Sequence, residues 1–420
     1  MERRSIEERL ARRAGALEPS PIRVLFPLMS LEGMISLGGG YPNARTFPLG
    51  TLEATLKGSG GLKLEGAELD AASQYGPSDV HPALREPLKE WHRTKDGVGI
   101  VDGGVVTLNG AQEGLFIMAY LFLDEEDSVV VSEPTYPGAL AAFRTFTQRF
   151  VSIPLDEKGM DTDALEKRLE EIAAAGERLP KFIYTIPNGH NPGGVSLAPE
   201  RRERMIAIAR RFDILILDDD PYQMIRLDKN NESPTTLQSL DQEGLVVRLD
   251  SFSKIFAPGL RIGYASGDPA IIERFVLFKQ AANLHTSSLT QVLLARCLEE
   301  TGARGFMDRI EENCLFYRKN RDVMVESAGE FLPEGIDFNT PEAGFFVWFR
   351  MPDRCSAESM VRLDSRELGV LLVPGSGFSA TGKLDNCMRA SFATATPENI
   401  CEGMRRFGVM VHREFERKGI

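Results

Sequence analysis

Short apolar runs alternate with segments of helical periodicity from about residue 105 onward. Each run has the length of a buried strand, and helical spacing of apolar positions separates several of them, as in Gly114–Leu123 and Pro199–Phe212. The seven predicted strands are Val105–Leu108, Ser128–Glu133, Phe150–Leu155, Lys181–Ile186, Ile214–Leu217, Leu245–Leu249 and Arg261–Ala265. Strands that alternate with helices predict an α/β domain with a mostly parallel sheet.

The pattern changes near residue 300, where helices and strands no longer alternate regularly. Helices are predicted at about 303–330 and 394–418, and strands at Gly344–Arg350, Gly369–Val373 and Cys387–Phe392. This mixture is typical of a smaller α+β domain. We therefore expect three parts, namely an N-terminal arm and small-domain segment over 1–45, a large domain over 46–300 and a small C-terminal domain over 301–420.

The N-terminal segment carries several arginines, but glutamates are interleaved with them. Mitochondrial presequences are poor in acidic residues, so an amphipathic opening helix is the favoured interpretation.

Further along, Ile35–Pro42 is predicted to be a short strand that enters a glycine turn. Gly58–Gly61 is predicted to be a flexible loop, and Gly375–Ser379 a turn, because neither has the glycine spacing of a nucleotide-binding motif.

Composition is that of an ordinary globular protein, with 420 residues, 42% hydrophobic and 26% charged. The formal charge of −12 argues against nucleic acid or an anionic membrane as a general partner. No apolar run approaches the length of a membrane span. The five cysteines form no C-x-x-C pair, which predicts reduced thiols in a cytoplasmic protein. The histidines show no metal-ligand spacing, so no metal is expected.

Lys254 lies in Ser251–Arg261, beside small hydroxyl residues and seven positions before an arginine. A lysine that forms a Schiff base with an aldehyde cofactor needs a dry, electropositive setting that lowers its pKa. Serine hydroxyls and a guanidinium can hold the phosphate of such a cofactor. The segment therefore suggests pyridoxal 5′-phosphate (PLP), although alone it is also compatible with a surface lysine in a Ser/Gly loop.

Upstream, the aliphatic run Ile214–Leu217 ends in Asp218, Asp219 and Asp220. Such a run predicts a buried parallel strand that places carboxylates at its C-terminal edge, where open α/β sheets bind ligands. A carboxylate there can pair with a protonated pyridine nitrogen, and Tyr222 can reach the phenolic oxygen of the same ring. The alternative is a solvated acidic loop or a magnesium site, which the aliphatic strand disfavours.

Further segments offer groups that suit the same cofactor. Asn109–Gly114 opens a helix with small residues whose backbone N–H groups can cradle a phosphate. Tyr136 follows another strand and can stack on a pyridine ring, and Asn191 supplies a side-chain amide after a third strand. Arg389, on a strand of the second domain, offers a guanidinium fork for a carboxylate.

Together, these segments resemble the class I/II aminotransferase family of fold type I PLP enzymes. The resemblance is strongest to the kynurenine/α-aminoadipate and fungal-type aromatic aminotransferase subgroup, and it runs from Pro19 almost to the C-terminus. Its motifs are Ser36–Asn43, Gln74–Ser78, Tyr184–Asn188 and Asp250–Lys254. The fold that it implies is a large domain with a mostly parallel seven-stranded sheet and a smaller α+β C-terminal domain.

The resemblance also implies a role for each matching residue. Lys254 is implied to be the Schiff-base lysine and proton shuttle, Asp219 the partner of the pyridinium nitrogen, and Tyr136 the stacking ring of the catalytic set. The implied cofactor ligands are Gly110, Ala111, Gln112, Tyr136, Asn191, Asp219, Tyr222, Ser251, Ser253, Lys254 and Arg261, with Tyr75 reaching the phosphate of the neighbouring subunit in a homodimer. The implied substrate ligands are Arg389 and Asn191 at the α-carboxylate and Arg23, Gly40 and Tyr41 at the side-chain pocket.

Three departures from the family pattern affect substrate identity more than cofactor binding. Gly193 stands where threonine is usual, Glu113 where glutamine is common, and Tyr41 where leucine is found.

The implied reaction is transamination between an aromatic, kynurenine or 2-aminoadipate-like L-amino acid and a 2-oxo acid, with 2-oxoglutarate as the expected acceptor. Lyase, decarboxylase, substitution or carbon–carbon chemistry on the same fold is the alternative. A transcription regulator with a related domain is a third interpretation, which the short segment before the resemblance disfavours.

Overall fold

A computed structural model describes residues 3–25, 31, 33, 40–57, 60–228 and 235–420. The chain divides into two compact units, each built from two stretches of sequence. The first unit comprises residues 1–125 and 238–309, and the second comprises residues 126–237 and 310–420. The predicted division at residues 45 and 300 stays a prediction.

Fourteen strands lie within the described residues. They are β1 (Thr51–Thr55), β2 (Gly61–Glu65), β3 (Val105–Leu108), β4 (Ser128–Glu133), β5 (Arg149–Asp156), β6 (Gly159–Met160), β7 (Phe182–Thr185), β8 (Leu215–Asp219), β9 (Val246–Ser251), β10 (Gly263–Ser266), β11 (Asp337–Phe338), β12 (Phe346–Arg350), β13 (Val373–Pro374) and β14 (Cys387–Ser391).

The α-helices of the same residues follow in chain order. They are α1 (Ile6–Arg9), α2 (Gly66–Ser73), α3 (Pro82–Asp96), α4 (Ala111–Phe122), α5 (Pro137–Arg144), α6 (Thr162–Ala174), α7 (Pro199–Phe212), α8 (Leu237–Leu240), α9 (Pro269–Ala282), α10 (Ser288–Phe331), α11 (Ala357–Leu368) and α12 (Pro397–Lys418). Gly302 interrupts α10 with a non-helical backbone at φ +64°, so the predicted helix from about 303 begins just after this break. None of the described helices is long and apolar enough to cross a membrane.

The first unit contains strands in the order β3-β10-β9, and the second contains strands in the order β8-β7-β4-β5-β6. In the second unit β4, β5, β7 and β8 pair in parallel, and their central residues are buried apolar side chains. In the first unit β10 pairs antiparallel with both β3 and β9. The predicted α/β fold with a mostly parallel sheet is therefore confirmed. The seven predicted strands all occur, and the short antiparallel β6 adds an eighth.

The second unit also contains a small antiparallel sheet of order β11-β12-β14-β13. Strand β12 corresponds to the apolar run Gly344–Arg350, and its register pairs Trp348 with Arg389 on β14. The predicted strand at Gly369–Val373 is wrong, since α11 continues to Leu368 and Gly369 ends it in a left-handed conformation. Of the predicted strand only Val373 pairs with β14, together with the following Pro374, because the left-handed Gly369 first turns the chain.

Several predictions about the N-terminal part need correction or lie outside the described residues. The opening helix is a single capped turn, Ile6–Arg9, followed by the 3₁₀ turn Arg12–Ala16. Most of the predicted strand Ile35–Pro42 lies outside the described residues, as do Gly58 and Ser59. Gly61 belongs to a strand rather than a loop, because β1 and β2 pair antiparallel and bury Leu62 and Leu64 on one face. This hairpin was not predicted.

Candidate active site

The ends of β7 and β8 place a phenol beside a carboxylate in the second unit. Tyr184 Oη donates a hydrogen bond to Asp219 Oδ2 at 2.9 Å, and both residues are buried. Burial raises the pKa of Tyr184 well above its usual value, and the negative charge of Asp219 raises it further. Tyr184 therefore stays protonated, and it orients the carboxylate by donating to it.

The neighbouring acids differ in what they contact. Asp220 Oδ2 accepts a hydrogen bond from Asn188 Nδ2 at 2.7 Å. Asn188 Oδ1 in turn accepts from Arg202 Nη2 at 2.7 Å, so Asp220 belongs to a buried scaffold network. Successive side chains on a strand point to opposite faces, which separates Asp219 from Asp218, whereas Asp220 lies just beyond the end of β8. The structure thus brings Asp219, rather than its neighbours, together with Tyr184.

Tyr222 lies three residues beyond β8 and is buried against two aromatic rings. The centroids of Phe345 and Phe346 lie 5.6 and 5.8 Å from that of Tyr222, both in edge-on geometry. Burial is the main cause that raises the pKa of Tyr222, with the charge of Asp219 second; Arg389 and a hydrogen bond with Asn191 lower it. Tyr222 is therefore a neutral phenol whose pKa responds to the charges of both Asp219 and Arg389.

Arg389 projects from β14 between two aromatic rings. Its Cζ lies 4.4 Å from the ring centroid of Phe346 and 4.9 Å from that of Phe378. Nη1 donates to Asn191 Oδ1 at 2.9 Å, whereas the buried Nε has no hydrogen-bond partner in the part of the chain that the structure describes. Burial lowers the pKa of Arg389, yet an arginine remains charged. A partly buried guanidinium that stacks on two aromatic rings and has a spare N–H is suited to a carboxylate ligand.

A loop from the C-terminal part holds one of these aromatic rings. Phe378 ends the 3₁₀ turn Gly375–Phe378, and its carbonyl accepts from Thr135 N at 2.8 Å. Glu133, at the end of β4, accepts hydrogen bonds from the Ser379 hydroxyl and from Ala380 N, the latter at 3.0 Å. The predicted turn at 375–379 is thereby fixed beside the segment that leads to Tyr136.

Tyr136 itself precedes α5 and is partly buried. A negative charge on Tyr136 would raise the pKa values of Tyr184 and Tyr222. We call Tyr136, Tyr184, Asn191, Asp219, Tyr222 and Arg389 the ring cluster. All of its members belong to the second unit.

The glycines after Asn191 fit their surroundings closely. Gly194 has φ +65°, and a Cβ there would lie in contact with the Phe346 carbonyl oxygen, so a larger residue would be strained. Gly193 donates its N–H to His190 Nδ1 at 3.2 Å, and a Cβ on it would meet Leu155 Cδ2 at 2.5 Å. The departure at Gly193 therefore has a packing explanation in this chain.

The first unit contains a second group of predicted residues around the start of α4. Gly110 precedes the helix with φ +82°, and a Cβ on it would lie 2.5 Å from Arg261 Nη2. Arg261 Nη2 donates to Asn109 O at 3.2 Å, and Nη1 donates to Ser253 Oγ at 3.4 Å. Absence of a side chain at Gly110 thus lets the guanidinium approach the open helix N-terminus. This combination of N–H groups and a cation suits a phosphate.

The other predicted phosphate ligands lie on the same elements. Ala111 and Gln112 form the first turn of α4, and Ser251, at the end of β9, accepts from Ser253 N at 3.2 Å through its hydroxyl. Lys254 follows in a turn and is exposed. We call Asn109, Gly110, Ala111, Gln112, Ser251, Ser253, Lys254 and Arg261 the phosphate cluster.

The predicted side-chain pocket residues lie elsewhere in the first unit. Arg23 Nη1 donates to Ser78 Oγ at 2.9 Å and to Gly76 O at 3.0 Å. The rings of Tyr41 and Tyr75 lie 6.1 Å apart, and burial raises the pKa of Tyr41. Gly40 is exposed, and Tyr75 is half exposed. Arg23 and the two tyrosines are thus brought to the same part of the unit.

Sequence reasoning missed a buried charged network next to Ser251. Asp250 accepts from Lys95 Nζ at 2.8 Å and from Arg248 Nε at 2.9 Å. His92 Nδ1 lies 3.0 Å from Tyr264 Oη and 3.5 Å from Asp96 Oδ2. Burial lowers the pKa of His92 to about 4, with Lys95 as the next cause, so this ring is neutral at pH 7. Hydrophobic spacing carries no signal for such a network, because its members come from three distant segments.

Comparison with known proteins identifies a family. The family model described as "Aminotransferase class I and II" matches residues 61–407. The aromatic-amino-acid aminotransferase 1 of Thermococcus litoralis is 34% identical over 98% of this chain and 96% of its own length. The mitochondrial kynurenine/alpha-aminoadipate aminotransferase of Mus musculus is 32% identical over 94% of this chain and 96% of its own.

Solved structures give the same result. The kynurenine aminotransferase of Pyrococcus horikoshii, described in complex with PMP and with KYN and KYA as substrates and products, has a TM-score of 0.78 to this chain. It is 32% identical over 98% of this chain and 98% of its own.

Proposed function

We propose a substrate class for this chain, which belongs to the class I and II aminotransferase family and is a PLP-dependent aminotransferase. The proposed amino donor is an aromatic, kynurenine or 2-aminoadipate-like L-amino acid. The proposed acceptor is a 2-oxo acid, specifically 2-oxoglutarate. The names of the relatives support this class of donor, and they favour transamination over lyase, decarboxylase or substitution chemistry.

The observation that carries the proposal is the setting of Arg389. Its guanidinium is fixed by Asn191 and by two aromatic rings, and it keeps a buried N–H without a partner among the described residues. An amino acid and its 2-oxo counterpart both carry an α-carboxylate. One forked cation can therefore bind the donor in the first half-reaction and the acceptor in the second.

The residues present fit PLP. When bound, PLP supplies a ring that withdraws electrons from the substrate Cα. The phosphate cluster offers Gly110, Ala111 and Gln112 at a helix N-terminus together with Arg261 and two serines, a donor set that suits a phosphate ester. In the ring cluster, Asp219 is a buried carboxylate oriented by Tyr184, as a protonated ring nitrogen requires.

Each remaining residue is assigned a role on the same basis. Lys254 is assigned to bind the cofactor aldehyde and to move the proton at the substrate Cα. Tyr136 is assigned to cover the ring face, and Tyr222 and Asn191 to donate to the ring oxygen. Because Tyr222 is buried and its pKa is raised, it can donate a proton in a hydrogen bond without ionising.

The side-chain pocket is assigned to Arg23, Gly40 and Tyr41. The aromatic ring of Tyr41, packed beside Tyr75, supports a flat or long apolar side chain in the donor. The charge of Arg23 supports the acidic end group of 2-oxoglutarate or 2-aminoadipate. This pairing is consistent with an enzyme that accepts both aromatic and acidic substrates.

We also propose an assembly and a cellular location. Tyr75, half exposed, is assigned to the phosphate of the neighbouring subunit in a homodimer. The free state of all five cysteines supports a cytoplasmic location, since thiols stay reduced there. The division into an arm over 1–45, a large cofactor domain over 46–300 and a small domain over 301–420 is retained as part of this proposal.

A single-turnover assay tests the proposed function. The PLP-loaded enzyme is mixed with one amino acid and no acceptor, and conversion of the cofactor to pyridoxamine phosphate is followed by absorbance. Phenylalanine, kynurenine and 2-aminoadipate are expected to convert it faster than alanine, and 2-oxoglutarate is expected to reverse the change. Release of product with PLP regenerated at each turnover, and no pyridoxamine phosphate, would contradict transamination.

A further inference from the structure

Glu113 holds the backbone just before α4. It occupies the first turn of this helix, and its Oε2 accepts from Asn109 N at 2.5 Å and from Asn109 Nδ2 at 3.2 Å. A carboxylate at this position complements the positive helix end and commonly accepts from the N–H of the N-cap residue, which here is Gly110. Glu113 instead accepts from Asn109, the residue before the N-cap.

A second element of the same unit reaches this carboxylate. Lys279 Nζ, on α9, lies 3.4 Å from Glu113 Oε2 and donates to Thr286 Oγ1 at 2.8 Å. Asn283 Nδ2 also donates to Glu113 Oε1. The Lys279 side chain is fully buried, and burial lowers its pKa while the charge of Glu113 opposes that change. A buried ammonium requires a paired carboxylate, so Glu113 is fixed from two sides.

The peptide that Glu113 holds belongs to the phosphate cluster. While its N–H is bonded to Glu113, the Asn109 carbonyl accepts from Arg261 Nη2 at 3.2 Å. Gly110 follows with φ +82° directly beneath the guanidinium. The backbone N–H and the backbone carbonyl of Asn109 are therefore both fixed. A shift of this residue would displace Gly110 and Arg261 together.

We propose that Glu113 and Lys279 are positioning residues that fix the Asn109–Gly110 backbone so that the helix N-terminus and Arg261 face the cofactor phosphate. The proposal rests on the assignment of the phosphate cluster made under the proposed function. Lys279 has a second effect. It neutralises Glu113, whose charge would otherwise repel a phosphate bound at the same helix end.

The test compares two ligands that differ only in the phosphate. Apo forms of the wild type, Glu113→Ala and Lys279→Met are titrated with PLP and with pyridoxal, and Kd is measured from fluorescence quenching. Loss of a charged hydrogen bond predicts that Glu113→Ala raises the Kd for PLP about 10-fold or more. Its Kd for pyridoxal should change less than about 2-fold, since pyridoxal does not use the loop that Glu113 positions. Lys279→Met should act in the same direction.

Glu68→Gln is the matched control. Glu68 pairs with Arg296 in the same unit, and its substitution should leave both Kd values unchanged. Unchanged PLP affinity in Glu113→Ala would overturn the proposal, as would an equal loss for PLP and pyridoxal, which indicates a general loss of structure. Thermal melting of the apo forms identifies misfolding. If Glu113→Ala does not fold, the double variant Glu113→Ala/Lys279→Met replaces it, because this variant leaves no buried ammonium without its carboxylate.

The two proposals fail differently. Wild type that does not bind PLP, or that does not form pyridoxamine phosphate from any amino acid, contradicts the proposed function. Wild type that does both, with normal PLP affinity in Glu113→Ala, contradicts only the positioning role.

Discussion

Arg389 and Asn191, which are 198 positions apart in sequence, are joined by a 2.9 Å hydrogen bond from Nη1 to Oδ1. The ring of Phe346 lies 4.4 Å from the Arg389 guanidinium carbon and limits its movement on one side. The amide thus fixes one edge of the guanidinium before any substrate arrives. Preorganisation of this kind lowers the entropy lost when a carboxylate binds.

A lysine at position 389 tests whether substrate binding needs two parallel N–H donors or only a positive charge. Arg389→Lys keeps the positive charge but loses the two parallel N–H donors, and charged hydrogen bonds contribute roughly 1.5–3 kcal/mol. We expect kcat/KM to fall about 10- to 150-fold, by a similar factor for the donor and for the 2-oxo acid. Steady-state kinetics of both half-reactions measure this. A variant with normal kinetics and a lower melting temperature would make Arg389 a scaffold residue.

Substitution of Asp219 tests which acid serves the cofactor ring. Asp219→Asn should retain PLP but lose on the order of a hundredfold in kcat, because a neutral partner no longer stabilises a protonated ring nitrogen. Asp220→Asn is the comparison, since Asp220 is bonded to Asn188 in the scaffold. That variant should lower the melting temperature more than the rate. The reverse pattern would assign the role to Asp220.

Tyr184 should affect catalysis only through Asp219. Tyr184→Phe removes the hydroxyl that donates to Asp219 Oδ2, leaving the carboxylate less well oriented. A hydrogen bond to a charged group is worth about 1.5–3 kcal/mol, so kcat should fall about 10-fold or more while KM changes little. Tyr317→Phe is a suitable control, because Tyr317 packs on Phe345 at 4.7 Å and has no assigned role. Equal effects of the two variants would argue against a specific role for Tyr184.

Lys254 should account for the covalent attachment of the cofactor. Lys254→Ala is expected to purify without the yellow colour of the wild type, and borohydride treatment should leave no cofactor attached to the chain. Mass spectrometry of the treated protein measures the attachment. Covalent cofactor in the alanine variant would assign the attachment to another lysine.

The buried His92 predicts a loss of stability in mild acid. Its pKa falls from 6.5 in the unfolded chain to about 4 in the folded protein, because it is buried and close to Lys95. The unfolded state therefore gains a proton first, and stability present above pH 6.5 is lost as the pH falls from 6.5 toward 4. The full loss from this group is about 3 kcal/mol.

Replacement of His92 by a residue that does not titrate isolates its contribution to the pH dependence of stability. Folding lowers the pKa values of Asp96 and Asp250 from 3.8. The stability that these two carboxylates contribute is therefore lost only below about pH 3.8, which is outside this window. His190, with a pKa of about 3, contributes to the same acid loss but is unchanged in the variant. In His92→Gln the melting temperature should depend less on pH between 6.5 and 4 than in the wild type. Parallel melting curves for the two proteins would exclude His92 as a cause.

Much of the fold was predictable because its signals are local. The runs Val105–Leu108 and Ser128–Glu133 coincide with β3 and β4, and the helix Pro199–Phe212 begins and ends where predicted. Buried parallel strands are continuously apolar and amphipathic helices repeat every 3.6 residues, so each element can be recognised in isolation. The short β13 and the β1–β2 hairpin were missed because their patterns are weak and their partners decide the pairing.

The candidate residues were also found by local chemistry, since Lys254, Asp219 and Arg389 each stand in a recognisable segment. Their partners were not. The pairing of Tyr184 with Asp219, and the Lys279 contact with Glu113 across 166 positions, depend on which strand ends and helices become neighbours.

The sequence by itself determined the type of the main elements, the family resemblance and the candidate chemical groups. The tertiary structure alone decided their hydrogen-bond partners, the burial that shifts their pKa values and the antiparallel direction of β10. Periodicity and turn preference act over a few residues, whereas a contact between distant residues depends on how whole elements pack.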